Sequence, residues 1–314
     1  MIDYLDEDVA YLLGLIVSRG KLINAAPLRS LVIEFPFKSL MVTGVATIYD
    51  QSTQLALGSN KIRDRISELL GTAVSVVSTK SKVMMTAHFL QNSIVWRNIK
   101  GLIGGAKDYT SSTVPTEIFQ APTSVKREFV RGIADGSAWL RPGTFFRDKS
   151  MGKRRVFIAV DNRNWQLAVQ LCSLLQQHLG VPVGEILWGH PNLRDPNCRF
   201  PDRPEGREHQ IRVFCEAFEQ IGFNLEHKNQ LLKEFAQDDK ENRPLGPVRP
   251  CNPLAIRSHA PTLKALHPQE HHKRLPNVLR GKHFESYWEI CLALGCQQGH
   301  PATNNEEVAS GSEA

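Results

Sequence analysis

Tyr11-Leu12-Leu13-Gly14-Leu15-Ile16-Val17-Ser18-Arg19-Gly20 and Phe129-Val130-Arg131-Gly132-Ile133-Ala134-Asp135-Gly136-Ser137-Ala138 are one design written twice. Each starts as an apolar helix with a glycine in its interior, and each ends in small residues where the chain turns into an extended run. An interior glycine costs about 1 kcal/mol of helix stability relative to alanine, so a glycine at the same place in both copies points to a packing reason. Small residues let two helix backbones approach closely. Gly14 and Gly132 are therefore expected at the seam of a helix pair that joins two halves of one molecule. They stand 118 residues apart, a period that fits a duplicated domain rather than a solenoid.

The pair resembles the LAGLIDADG motif of homing endonucleases and their relatives, in the two-copy, single-chain form. Against the nine-letter pattern the first copy runs from Leu12 to Gly20 and keeps the Gly-Leu-Ile core and the terminal glycine. The second runs from Val130 to Ala138 and keeps Gly132, Ile133 and Asp135. The resemblance implies an α+β fold, a pseudo-dimeric duplicated αββαββα saddle, whose two four-stranded sheets lie in the major groove of double-stranded DNA. It also implies an acid at the penultimate motif position to bind a divalent metal. Arg19 and Ser137 stand there instead, so the motif is present as architecture and lacks the family's usual metal ligands.

A chain of 314 residues can bury a substantial core without staples. Hydrophobic content of 41% and charged content of 22% describe an ordinary soluble protein. The net charge of +6 permits nucleic-acid binding without requiring it. All six cysteines lie from Cys172 onward, the N-terminus is acidic (Asp3, Asp6, Glu7, Asp8), and no apolar run approaches the ~18 residues of a membrane span. A reduced, cytoplasmic protein, monomeric with internal pseudo-symmetry, is the expectation.

Asp6 or Asp8 can cap the first helix, whose stripe is Val9, Leu12, Leu13, Ile16 and Val17. Strands are expected at Lys21 to Ile23 and Leu31 to Phe35, a helix from Ser59 to Leu70 closed by Gly71, a hairpin from Ala73 to Phe89, and a helix from Ser93 to Ile103. A second pass of that order starts near Val114, with Ser124 as the cap of the second motif helix. Strands then follow at Trp139 to Arg147 and Arg155 to Val160, a long helix from Asn164 to Leu179, strands at Val183 to Trp188 and His209 to Val213, and a helix from Phe214 to Ile221. The expected division is residues 1–110 and 111–236 for the two halves, 237–300 for a His/Cys-rich extension, and 301–314 for a disordered tail.

Two cationic clusters fall where the turns of the second half are expected. Arg147, Lys149, Lys153, Arg154 and Arg155 surround one, and Arg199, Arg203 and Arg207 the next. With Lys21 of the first half they are candidate phosphate contacts, the alternative being a solvated surface without a partner. Catalysis by phosphodiester hydrolysis needs carboxylates to hold Mg2+. Asp135 is the one motif acid, two residues before Ser137 and so about 200° around the helix from it. It is a candidate for a single-site nickase, or a structural residue. In the extension, Cys251, His283, Cys291 and Cys296 could hold a structural Zn2+, although their spacing is irregular and Cys291 also suits the buried stripe of a helix. The leading expectation is a DNA-binding, cleavage-impaired protein acting in recognition or regulation. The alternatives are a metal-dependent endonuclease with a displaced site and a protein-interaction scaffold.

Overall fold

The computed structural model describes residues 5–25, 28–40, 51–79, 81–141, 154–191 and 207–242, with Gly246 and Cys251. Two helices form its axis. Helix α1 (Glu7–Arg19) is capped by Asp6, whose carboxylate accepts the Val9 N–H at 2.8 Å, and Glu7 and Asp8 sit favourably in its first turn. Helix α6 (Thr123–Ser137) begins one residue before the expected cap: Pro122 precedes it, and Ser124 lies in its first turn. A proline pre-set in φ and without an N–H costs nothing at a helix start, where that donor has no partner anyway.

The two helices touch backbone to backbone. A Cβ built on Gly14 would collide with the Phe129 carbonyl oxygen and sit 2.9 Å from the Ile133 nitrogen; one on Gly132 would collide with the Tyr11 carbonyl oxygen and sit 3.1 Å from the Leu15 nitrogen. Tyr11 and Phe129, Gly14 and Gly132, and Leu15 and Ile133 are each 118 positions apart, so the crossing is its own image under the repeat. Nearly all of α1 is consequently buried, from Ala10 through Ser18.

Each helix feeds a four-stranded antiparallel sheet of the same topology. In the first half, β1 (Gly20–Asn24), β2 (Leu28–Pro36), β3 (Val74–Ser78) and β4 (Lys82–Leu90) are ordered β1-β2-β4-β3. In the second, β5 (Ala138–Arg141), β6 (Arg155–Asp161), β7 (Val183–Pro191) and β8 (Arg207–Phe214) are ordered β5-β6-β8-β7. Strand alternation sets the faces: Leu31, Ile33, Phe35, Met85 and Ala87 of one sheet and Val156, Ile158, Ile211 and Val213 of the other turn into a single core against the helices. Pro36 is the last residue of β2, an inner strand of its sheet.

The remaining helices complete each αββαββα unit. The first half adds α2 (Phe37–Leu40), α3 (Gln51–Leu70) and α4 (Ile94–Leu102), the second α7 (Trp165–Ser173) and α8 (Cys215–Phe218), and α5 (Thr116–Gln120) lies in the connection. Asn164 caps α7 through the Leu167 N–H, and one turn of π-helix, Leu174–His178, extends it toward Gly180 at φ +64°. The helix expected from Phe214 to Ile221 is only α8, one turn long. Helix α9 (Glu226–Asn242) runs through residues 236 and 237 without a break, although a domain boundary is expected there. Its Leu231, Leu232, Phe235 and Ala236 are buried, and so is Asp239. The fold is thus the duplicated, pseudo-dimeric α+β arrangement that the two motifs imply. Among the described residues no helix is long and apolar enough to cross a membrane.

Candidate nucleic-acid interface

The C-terminal ends of α1 and α6 meet where the two sheets begin. Arg19 ends α1, with its guanidinium 5.5 Å from the centre of the Tyr109 ring and its Nε buried without a hydrogen-bond partner. Tyr109 is held there because its N–H donates to the Gly20 carbonyl at 3.0 Å. Asp161, at the end of β6, approaches from the second half. Burial alone would raise its carboxyl, but hydrogen bonds and charge from Arg163, with Arg19 adding to them, hold it below its ordinary value. Ser137, the counterpart of Arg19, has no exposed surface and donates its hydroxyl to the Ile133 carbonyl at 2.8 Å.

These donors do not suit a hard divalent cation. Mg2+ takes oxygen ligands, ionised carboxylates above all, whereas one motif position holds a permanent cation and the other a hydroxyl already committed to its own helix. Among the described residues no group of three His, Cys, Asp or Glu side chains is placed to hold a metal. The arrangement instead offers the Arg19 guanidinium beside Tyr109 and the Asp161–Arg163 pair.

Asp135 is elsewhere. It is fully buried on the opposite side of α6, and its carboxylate accepts the Tyr11 hydroxyl at 3.0 Å and the Asn224 and Leu225 N–H groups at 3.1 and 3.3 Å. Burial raises its carboxyl above the ordinary value, against the lowering effects of Lys228 and these donors. Lys228 of α9 is also buried; its ammonium lies 4.4 Å from the centre of the Phe223 ring and donates to the Ala134 and Asp135 carbonyls at 3.0 and 3.4 Å. Burial lowers that amine to about 7, Asp135 opposing the shift. The cluster fastens α9 to the end of α6, as a cation should at a helix C-terminus. Sequence spacing placed Asp135 away from Ser137, but nothing local in the sequence marked Lys228 as its neighbour.

The other expected contacts divide. Lys21 is exposed on β1. Arg155 of β6 is mostly buried and shares the Glu185 carboxylate with Arg212, at 2.7 and 2.8 Å. Arg154 pairs with Asp238, stacks over Phe235 at 4.7 Å, and donates its backbone N–H to Asp239 at 2.8 Å. Arg147, Lys149, Lys153, Arg199 and Arg203, and the side chain of Arg207, lie outside the described residues. So do His283, Cys291 and Cys296 of the expected zinc set. Cys251, the remaining member, is half-buried and exchanges two backbone hydrogen bonds with the Gln176 side chain, at 2.7 and 3.2 Å.

No protein-family model and no curated protein matches the sequence. Among solved structures, full-length DUF199/WhiA from Thermatoga maritima is similar over 79% of this chain at 14% identity with a TM-score of 0.42, and this chain spans 64% of that protein's length. The homing endonuclease I-DmoI in complex with DNA and Mn is similar over 72% of this chain and 97% of its own, at 13% identity and a TM-score of 0.36. I-WcaI bound to its DNA recognition sequence is similar over 69% of this chain and 81% of its own, at 9% identity and a TM-score of 0.39. Scores this low carry no functional argument. The fold is identified by the chain's own elements, two αββαββα units crossing at Gly14 and Gly132, and that architecture is LAGLIDADG-like.

Proposed function

We propose that the chain binds double-stranded DNA across its two sheets, for recognition or regulation, and does not cut it by a two-metal route. The observation that carries this reading is the pair of motif ends. Two-metal hydrolysis needs carboxylates beside the scissile phosphate to hold the ions that activate water and stabilise the leaving oxygen. Arg19 would repel such an ion and attract the phosphate itself, and Ser137 has turned its hydroxyl into its own helix. A guanidinium between two sheets that approach the grooves is a phosphate contact at the centre of the interface.

A gel-shift series on mixed-sequence duplex tests the binding half. Affinity is expected to fall by about 10³-fold or more between low and physiological salt, as counterion release from several phosphates requires. Arg19→Glu should weaken binding further at every salt concentration. Binding that ignores salt, or is absent, sinks the DNA reading. The cleavage half is tested by a plasmid pool incubated with Mg2+ or Mn2+, which should stay uncut; cuts that vanish in Asp135→Asn would establish a nickase instead.

A further inference from the structure

We infer that sequence is read from one side: the open face of the first sheet (β1, β2, β4 and β3) carries the base contacts, and the open face of the second sheet does not. This rests on the duplex-binding reading and goes beyond it by naming the surface and side chains that would set specificity.

The two faces are equivalent in topology and opposite in condition. On the second sheet most of the described side chains that face away from the helices are already engaged. Trp139 and Phe157 stack with ring centres 5.8 Å apart and planes 8° from parallel. The Arg155 and Arg212 guanidinium groups share Glu185 and lie 5.1 and 5.0 Å from the Phe214 and Phe157 ring centres. Trp139, Glu208 and Gln210 each expose 5% of their surface. Asp161, Glu185 and Glu208 also put three carboxylates on this face. Arginines already held by Glu185 and laid over aromatic rings are not free to turn to a base edge, and Asp161 and Glu208 are themselves engaged, by Arg163 and by the Gln210 amide.

The first sheet is open. Lys21, Ser75 and His88 are exposed, and Ser30 and Thr86 are half-exposed between them. These belong to one face, because the register sets Lys21 opposite Val32, Val32 opposite Thr86, Thr86 opposite Ser75, and Ser30 opposite His88. Ser30 Oγ lies 2.9 Å from His88 Nδ1. Among them stand Ile23, Leu28, Val77 and Leu90, exposed by 37%, 45%, 51% and 68%. Short polar side chains and a lysine interleaved with apolar ones suit the major groove, where lysine meets guanine O6 and N7, hydroxyls meet either base, and apolar groups meet the thymine methyl.

The charge around this face selects an anionic partner. From Gly71 to Lys107 the chain carries Lys80, Lys82, Arg97, Lys100 and Lys107 and no acid, and from Gly20 to Ile33 it carries Lys21 and Arg29 and no acid. The one carboxylate in these strands, Glu34, is held by Lys82 at 2.6 Å. Asp108, bridged to Lys21 at the edge of the sheet, is the exception, and its carboxylate accepts the Thr110 N–H and hydroxyl at 2.9 and 2.6 Å.

Selection of bound sequences from a random duplex library, with the wild type and with the Lys21→Ala/His88→Ala double variant, tests the inference. Both side chains are exposed, so the variant keeps its fold. The wild type should yield a consensus whose information lies in one half of the protected site, the other half being protected but degenerate. The double variant should lose about 10- to 100-fold in preference at two or three adjacent positions of the informative half. A consensus of two equally informative halves, or one unchanged in the double variant, overturns one-sided reading while leaving DNA binding intact. Failure of the wild type to enrich any duplex overturns the DNA reading itself and the inference with it.

Discussion

The glycines separate by what surrounds them rather than by their place in a helix. Gly14 sits where any Cβ would meet the Phe129 carbonyl, which belongs to a helix backbone and cannot turn aside. Gly101, near the end of α4, has nothing within 4 Å of its Cβ position. Gly14→Ala is therefore expected to destabilise by about 3 kcal/mol, overpacking outweighing the gain in helix propensity, while Gly101→Ala should stabilise by about 0.5–1 kcal/mol. Urea unfolding of both variants checks the pair; equal effects would mean that the helix crossing yields. Sequence alone made Gly14 legible, because its twin at Gly132 gave it a reason to be there. Arg19 was legible as a substitution for an acid but not as a neighbour of Tyr109 and Asp161, since those come from a connection and from a strand over 100 residues away.

At the scale of elements, strands and motif helices followed their apolar periodicity, and α9 did not. Its sequence, Glu226 to Asn242, is dominated by polar and charged residues, which made its second half look like a boundary. The structure turns several of these inward: Lys228 onto the last carbonyls of α6, and Asp239 onto the Arg154 N–H at the start of β6. A polar residue buried against a backbone group from elsewhere has no local signature. The docking should be visible as pH dependence. Lys228 has its folded pKa lowered from 10.5 to about 7, so between those values the unfolded chain binds a proton that the folded chain lacks. Stability from this group consequently rises with pH across that window, by at most about 1.4 kcal/mol per unit, and its burial penalty is fully present below it. Melting profiles of wild type and Lys228→Met should diverge in favour of the wild type from about pH 7 upward. The difference isolates the lysine from Lys126, which burial also lowers, and from Cys215, which burial raises. Parallel profiles would mean that Lys228 does not titrate in that window.

For the whole molecule, the duplication suggests two independent halves, and the packing denies it. Each motif helix is the other's main partner along the crossing, so neither half encloses its own apolar surface. Polar ties span the same division. Arg65 of α3 reaches Glu128 of α6 at 3.3 Å, and Tyr11, which lies under the Arg65 guanidinium at 4.2 Å, donates to Asp135. Asn164, which caps α7, also holds the connection between the halves by donating to the Tyr109 and Ser112 carbonyls at 2.9 and 2.6 Å. Separating the halves would expose two glycine-seamed helices to water and leave Asp135 buried without one of its donors, a cost that neither sheet can recover. Calorimetry should therefore give one unfolding transition for the described core, with a calorimetric enthalpy close to the van't Hoff value. Two resolved transitions, or a calorimetric enthalpy near twice the van't Hoff value, would mean that each half folds alone and that the crossing is an interface between domains. The same coupling bears on the proposed recognition: with the halves locked at Gly14 and Gly132, contacts of the first sheet with a duplex would set where Arg19 and the second half lie on it.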